Sequence, residues 1–182
     1  MTSKLKPVLS LALVLPFLFG SLAACGFRPL YGDNGATTSA AVSLATITVE
    51  APETSIGRRL KYDVLDNFNN GGEQPLSPAY RLSLLPTSYS QNVAVQQDAS
   101  VTRKNFVLVV PYVLISNETG KVVFRSTSRA RSSYNRVDSE FANLSAAADA
   151  EKRTAETVAD DIKTQVSVYF DRLQRSEKAA AK

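Results

Sequence analysis

The stretch "KVVFRSTSRARSSYNR" at residues 121–136 admits few backbones. Taken by twos, Val122, Phe124, Ser126, Ser128, Ala130, Ser132 and Tyr134 fall on one side, and Val123, Arg125, Thr127, Arg129, Arg131 and Ser133 on the other. A strand, whose side chains alternate between faces, collects the arginines on one. The first side is apolar at its ends and small in the middle, which suits close packing under helices. The second is basic. The segment reads as a strand with one face inside and one outside, so the rest of the domain must supply a layer for the inner face.

The other elements supply it. "TITVE" (46–50) alternates β-branched residues and reads as a short strand, ended by Pro52. Thr54 or Ser55 caps a helix on which Ile56, Leu60, Val64 and Phe68 recur every four residues, and Gly71 with Gly72 supplies a positive-φ stop. Two long extended segments, 79–95 and 101–116, flank "QQDAS" as a hairpin turn. Pro86 and Pro111 each remove a ladder donor, so bulges or sheet-edge positions are expected there. "NETG" (117–120) turns into the basic strand and completes a three-stranded meander. A closing helix carries Leu144, Ala148, Ala155, Val158, Ile162, Val166, Tyr169 and Leu173, spaced by threes and fours, with charges on its other faces. A coiled-coil seam has similar spacing, but the small Ala148 and Ala155 suit packing on a sheet. The expected fold is α+β, a two-layer α/β sandwich: a four-stranded mixed sheet with two helices on one face, in the order β-α-β-β-β-α. The opposite face is left to water or to a partner.

The N-terminal segment has a different character. "MTSKLKP" is basic, "VLSLALVLPFLFGSLAA" is apolar and ends in small residues, and Cys25 follows, the one cysteine in the chain. These are the parts of a secretory signal. As a membrane span the apolar run is too short and is broken by Pro16. Leu22-Ala23-Ala24-Cys25 resembles the bacterial lipobox, in which the cysteine sulfur receives a diacylglyceryl group and the freed amine a further acyl chain. Two or more chains anchor stably where one binds reversibly. Cys25 is thus the expected lipid attachment site, and these acyl chains are the sole expected prosthetic group. The expected organisation is a signal peptide at 1–24, a lipidated N-terminus and tether at 25–45, an α/β domain at 46–173 and a disordered tail at 174–182.

Cleavage also changes the charge. Of the 21 Lys and Arg residues the signal takes two, Lys4 and Lys6, leaving 19 against 17 acids, a net charge of +2. There is no histidine, which removes the commonest general base and the commonest zinc ligand together. No metal site is expected. Asp63 with Asp66, and Asp160 with Asp161, read as solvated helix carboxylates and not as acid–base pairs. With no phosphate loop and no nucleophile elbow, no catalytic residue is expected, and the chain reads as a non-enzyme. Between residues 98 and 138, Arg103, Lys104, Lys121, Arg125, Arg129, Arg131 and Arg136 outnumber Asp98, Glu118 and Asp138. Export and the low net charge argue against nucleic acid as the partner of this basic stretch.

The lipobox followed by "CGFRPLYG", the helix "SIGRRLKYDVLDNF", the G-x-x-x-x-R-S start of the basic strand and the order of elements together resemble the LptE family of lipopolysaccharide-assembly lipoproteins. The resemblance implies a plug seated in the LptD β-barrel at the outer membrane, assisting barrel assembly and binding lipopolysaccharide. It makes Arg125, Arg129, Arg131, Arg103 and Lys104 candidates for contact with the glycolipid or with acids on the barrel wall, against the plainer reading of a solvated sheet face kept charged for solubility. A free-standing envelope lipoprotein that binds another amphiphile, or serves as a scaffold, is the alternative.

Overall fold

The computed structural model describes residues 43–69, 71–95 and 101–181. The signal segment, Cys25 and the hairpin turn at 96–100 lie outside these residues. The elements run β1 (Ile47–Glu50), α1 (Ser55–Asn69), β2 (Tyr80–Leu84), β3 (Thr87–Val95), β4 (Val101–Ser116), β5 (Val122–Asn135) and α2 (Glu140–Ala180). This is the expected two-layer α+β arrangement, a mixed sheet with both long helices packed on it. The core joins Ile47, Val49, Leu60, Val64 and Leu82 to Leu108, Val110, Leu114, Val158, Ile162 and Val166.

β4 is the spine. β5 runs antiparallel along one edge of it, from Arg103↔Asn135 to Ile115↔Val122. β2 and β3 share the other edge end to end, and β1 lies parallel beyond β2. The expected second strand is therefore divided into β2 and β3 at Leu85-Pro86, which makes five strands of the expected four. The register does not change across the break, from Leu84↔Tyr112 to Thr87↔Val109, so there is no bulge at either proline. Leu85 N donates to Pro111 O at 3.0 Å, and the missing bond is the reciprocal one that Pro111 cannot give. By the alternation of the ladder, Pro86 directs its nitrogen away from β4, on the edge where β1 has already ended.

The irregularities lie elsewhere: β3 shifts register against β4 between Asn92 and Val95, and β5 carries a bulge near its start. Leu114 faces Phe124 but Ile115 faces Val122, so Val123 is an extra residue in β5. It turns inward beside Phe124 and packs on the core, while Val122 is 48% exposed. The simple alternation placed these two valines the other way round. From Phe124 onward it holds.

α1 starts as its sequence directs. Thr54 is the cap: its Oγ1 accepts from Gly57 N at 3.1 Å and its carbonyl from Arg58 N at 2.9 Å. Gly57, Leu60, Val64, Leu65 and Phe68 are buried. After it Gly72, and not Gly71, takes a positive φ of 65°. Leu44, 3% exposed, belongs to the core, so the domain reaches back into the segment expected to be tether.

α2 departs from expectation at both ends. Leu144 is 64% exposed and Ala148 is exposed, whereas Asn143, Ala150 and Thr154 are buried. The cause is a side-chain clamp. Asn143 Oδ1 accepts from Val137 N at 2.9 Å and its Nδ2 donates to Val137 O at 2.8 Å. These bonds satisfy a backbone pair at the β5–α2 connection and fix the inward phase on a polar residue, turning Leu144 to solvent. From Ala155 onward the expected stripe holds: Val158, Ile162 and Val166 are buried and Tyr169 and Leu173 pack on the core, while Phe170, outside the expected stripe, is buried as well. The C-terminus stays helical to Ala180 where a tail from 174 was expected. The Asp171–Arg175 pair and a run of strong helix formers extend it.

Candidate functional site

The two faces of the sheet have different chemistry. On the helix side Tyr112 Oη donates to Gln165 Oε1 at 2.9 Å, Ser126 Oγ donates to the same oxygen, and Gln165 Nε2 donates to Asp161 at 2.7 Å. Burial pushes the Tyr112 hydroxyl up to about 12, aided by the nearby Asp161 charge and opposed by the Ser126 hydrogen bond. Around it Phe124, Tyr169, Phe170 and Tyr80 form an aromatic cluster with centroid separations of 5.1–5.2 Å. This side is a packed core. Between the helices, burial raises the Asp63 carboxyl, with Glu156 and Asp66 adding repulsion and Arg59 and Lys152 opposing it. Asp63 is thus partly withdrawn from solvent, contrary to the solvated face expected for it. Asp160 is a helix-pairing group that accepts from Asn67 at 2.9 Å.

The helix-free side carries the arginines. Arg125, Arg129 and Arg131 are exposed there, opposite Val113, Val109 and Val107 of β4. Same-face neighbours on a strand lie about 7 Å apart, so Arg129 and Arg131 are adjacent rungs and Arg125 is one rung further from Arg129, past Thr127. Among the described residues none of the three forms an ion pair. Arg103, opposite Asn135, is exposed on the same face. Lys104 is not: it faces Tyr134 on the helix side and lines a cleft of about 170 Å³ with Arg136, Glu140 and Leu144. The five cationic candidates therefore divide, four on one face and Lys104 on the other.

Three features of this face escaped the sequence reading. Tyr89, opposite Val107, accepts a hydrogen bond from Arg129 Nη2 at 3.2 Å, across β4. Asn105, 9% exposed, accepts from Ser133 Oγ at 2.6 Å and ties β4 to β5. Along β4 itself Val107, Val109, Pro111, Val113 and Ile115 make an apolar row one strand wide, with β5 on one side and β3 followed by β2 on the other. The signal for the strip was legible: "FVLVVPYVLI" (106–115) contains no polar side chain except the Tyr112 hydroxyl, the pattern of a strand covered on both faces. Among the described residues no helix is long and apolar enough to cross a membrane, and no group of His, Cys, Asp or Glu could hold a metal ion.

No protein-family profile and no curated protein sequence matches the chain. Solved structures do. A lipoprotein from Caulobacter crescentus aligns at 22% identity over 72% of this chain and 95% of its own, with a TM-score of 0.60. The minor lipoprotein from Acinetobacter baumannii aligns at 18% identity over 67% and 90%, with a TM-score of 0.55. Rare lipoprotein B from Shewanella oneidensis aligns at 12% identity over 70% and 96%, with a TM-score of 0.56. In backbone, then, this chain shares the two-layer α+β fold of these bacterial lipoproteins.

Proposed function

We propose that the chain is an outer-membrane lipoprotein, anchored through acyl chains on Cys25, that plugs an LptD-type β-barrel, assists its assembly and binds lipopolysaccharide during delivery to the outer leaflet. The observation that carries this reading is the exposed ladder of Arg125, Arg129 and Arg131, free of ion pairs among the described residues, on a sheet face without a helix layer. Guanidinium forks bind phosphate or carboxylate at two points, and a plug needs a polar surface toward the lumen of its barrel. The fold shared with bacterial lipoproteins and the lipobox before Cys25 support the same reading. The protein acts by binding, with no catalytic step.

Affinity purification from outer membranes tests it. The expected result is a large barrel protein recovered in a fixed ratio, together with binding of lipopolysaccharide by the purified, barrel-free chain. Changing Arg129 and Arg131 together to Glu leaves the fold intact and weakens at least one of the two associations by on the order of a hundredfold, since each lost charge-assisted hydrogen bond removes roughly 1.5–3 kcal/mol. Recovery without a barrel would favour the free-standing lipoprotein instead.

A further inference from the structure

We infer that the free edge of β5 takes an added strand: an extended segment of another polypeptide, with carboxylates at alternate residues, that pairs through its main chain with residues 125–133. This edge lies apart from the sheet face assigned above, and its occupancy does not depend on the plug reading. The three strand edges of the domain differ. An edge strand offers unpaired N–H and C=O groups to any extended chain, and proteins ordinarily cover or interrupt it. β1 is covered. Gln74 Oε1 accepts from Val49 N at 3.0 Å and Gln74 Nε2 donates to Val49 O at 2.8 Å, so a side-chain amide stands where a neighbouring strand would. β3 is interrupted, by Pro86 just before it and by register shifts between Asn92 and Val95. β5 is neither covered nor interrupted beyond its start. It runs for 14 residues, its bulge lies at Val123, and among the described residues only β4 pairs with it.

The phase of the ladder sets which groups are free. Leu85 N donates to Pro111 O, so Pro111 directs its main chain toward β2, and by alternation Leu108, Val110 and Tyr112 direct theirs toward β5. Their partners Ala130, Ser128 and Ser126 face back to β4. The N–H and C=O groups of Arg125, Thr127, Arg129, Arg131 and Ser133 therefore point outward from the edge, and among the described residues no turn, loop or cap bond uses them. Cross-strand neighbours share a face, so guest residues opposite these five lie beside the arginines. Arg129 leans across β4, where its Nη2 donates to Tyr89 Oη at 3.2 Å. Arg125 and Arg131, both exposed and about 20 Å apart along the strand, are the charges left to the guest. A second copy of β5 is the wrong guest, because two-fold pairing of this edge brings arginines beside arginines. Carboxylates at alternate positions are the complement. The residues between them fall on the helix side, beside the small Ser126, Ser128 and Ala130, where β-branched side chains suit a strand.

Titration of the purified full chain with a short peptide alternating glutamate and valine tests the assignment, read by hydrogen exchange at single backbone amides. The expected result is saturable binding that slows exchange about tenfold or more at Arg125, Thr127, Arg129, Arg131 and Ser133, while Ser126, Ser128 and Ala130, already bonded to β4, keep their rates. Of two further peptides, N-methylated at the glutamates or at the valines, one should bind about tenfold more weakly and the other unchanged, since only one edge of the guest meets β5. Arg125→Glu with Arg131→Glu should weaken the glutamate peptide about tenfold and admit one alternating lysine and valine. Equal binding of both N-methylated peptides would mean charge attraction without strand addition, and overturns the inference. Protection confined to β3 or the helices overturns it too. So does absence of binding, which would make the arginines gatekeepers of a closed edge.

Discussion

Gly57 sits at the third position of α1, where an alanine should improve the helix by up to about 1 kcal/mol on propensity alone. The structure reverses that sign. A Cβ on Gly57 would stand 2.1 Å from the carbonyl oxygen of Pro52 and 3.0 Å from Thr54 Oγ1, against 3.4–4 Å for an ordinary contact. Pro52 O is backbone, so no rotamer relieves the overlap. Either the first turn or the β1–α1 connection must move by more than an ångström, and the Thr54 cap on Gly57 N moves with it. Overpacking costs about 1–3 kcal/mol and loss of a cap about 1 kcal/mol, so after the propensity gain Gly57→Ala should lose about 2 kcal/mol. For a domain of this size that is a fall of about 4–8 °C in Tm. Thermal melts of Gly57→Ala beside Gly71→Ala make the comparison. Gly71 has its nearest obstruction at 3.8 Å and no positive φ, and should be nearly neutral. A Gly57→Ala protein melting at or above the parent temperature would refute the reasoning.

Three further outcomes are expected. Ile162→Asp, which buries a charge at a position 0% exposed, should unfold or deplete the protein, while Asp161→Ala costs only its bond to Gln165; equal thermal stability of the two would show the phase of α2 to be wrong. Because the folded-state pKa of Tyr112 lies above its unfolded value, the unfolded chain loses that proton first as pH rises, so stability should be constant below pH 10 and decline from there toward pH 12, and Tyr112→Phe should flatten that decline in urea titrations. Cys25→Ser should abolish incorporation of labelled palmitate and leave the chain unprocessed or mislocalised, and undiminished label would remove the anchor assignment.

What was legible in the sequence follows from the strength of each local signal. The α1 stripe and the later α2 stripe are unbroken runs of apolar, mostly large residues at helical spacing, which little else can satisfy. The exposed arginines of β5 were legible because alternation needs only one strand to be read. The start of α2 was not, because the inward position there belongs to Asn143, whose role depends on the backbone of Val137 and not on hydrophobicity. The exchange of Val122 and Val123 required knowing that β5 carries an extra residue against β4, which is a property of the pair of strands. Lys104 was grouped with Arg103 by sequence adjacency, yet neighbours on a strand point to opposite faces, and that rule alone would have separated them. Tyr89 stands far from Arg129 in the chain and meets it only once β3 has paired.

The position of α2 in the chain has a consequence for how the domain comes into being. Leu60, Val64, Leu108 and Val110 share one core with Ala155, Val158, Ile162 and Val166, which a ribosome releases only after all five strands. Until they emerge, the β4 spine has neither face sealed, and the bond from Asn67 to Asp160 has no second half. Folding of the core is therefore held back until α2 has emerged and dominated by contacts remote in sequence, a regime that is slow and leaves apolar surface uncovered while it lasts. A chain threaded N-terminus first through a narrow pore would meet no folded domain to obstruct it, and on the far side it would present its stickiest strand to whichever binding protein arrived before its own last helix.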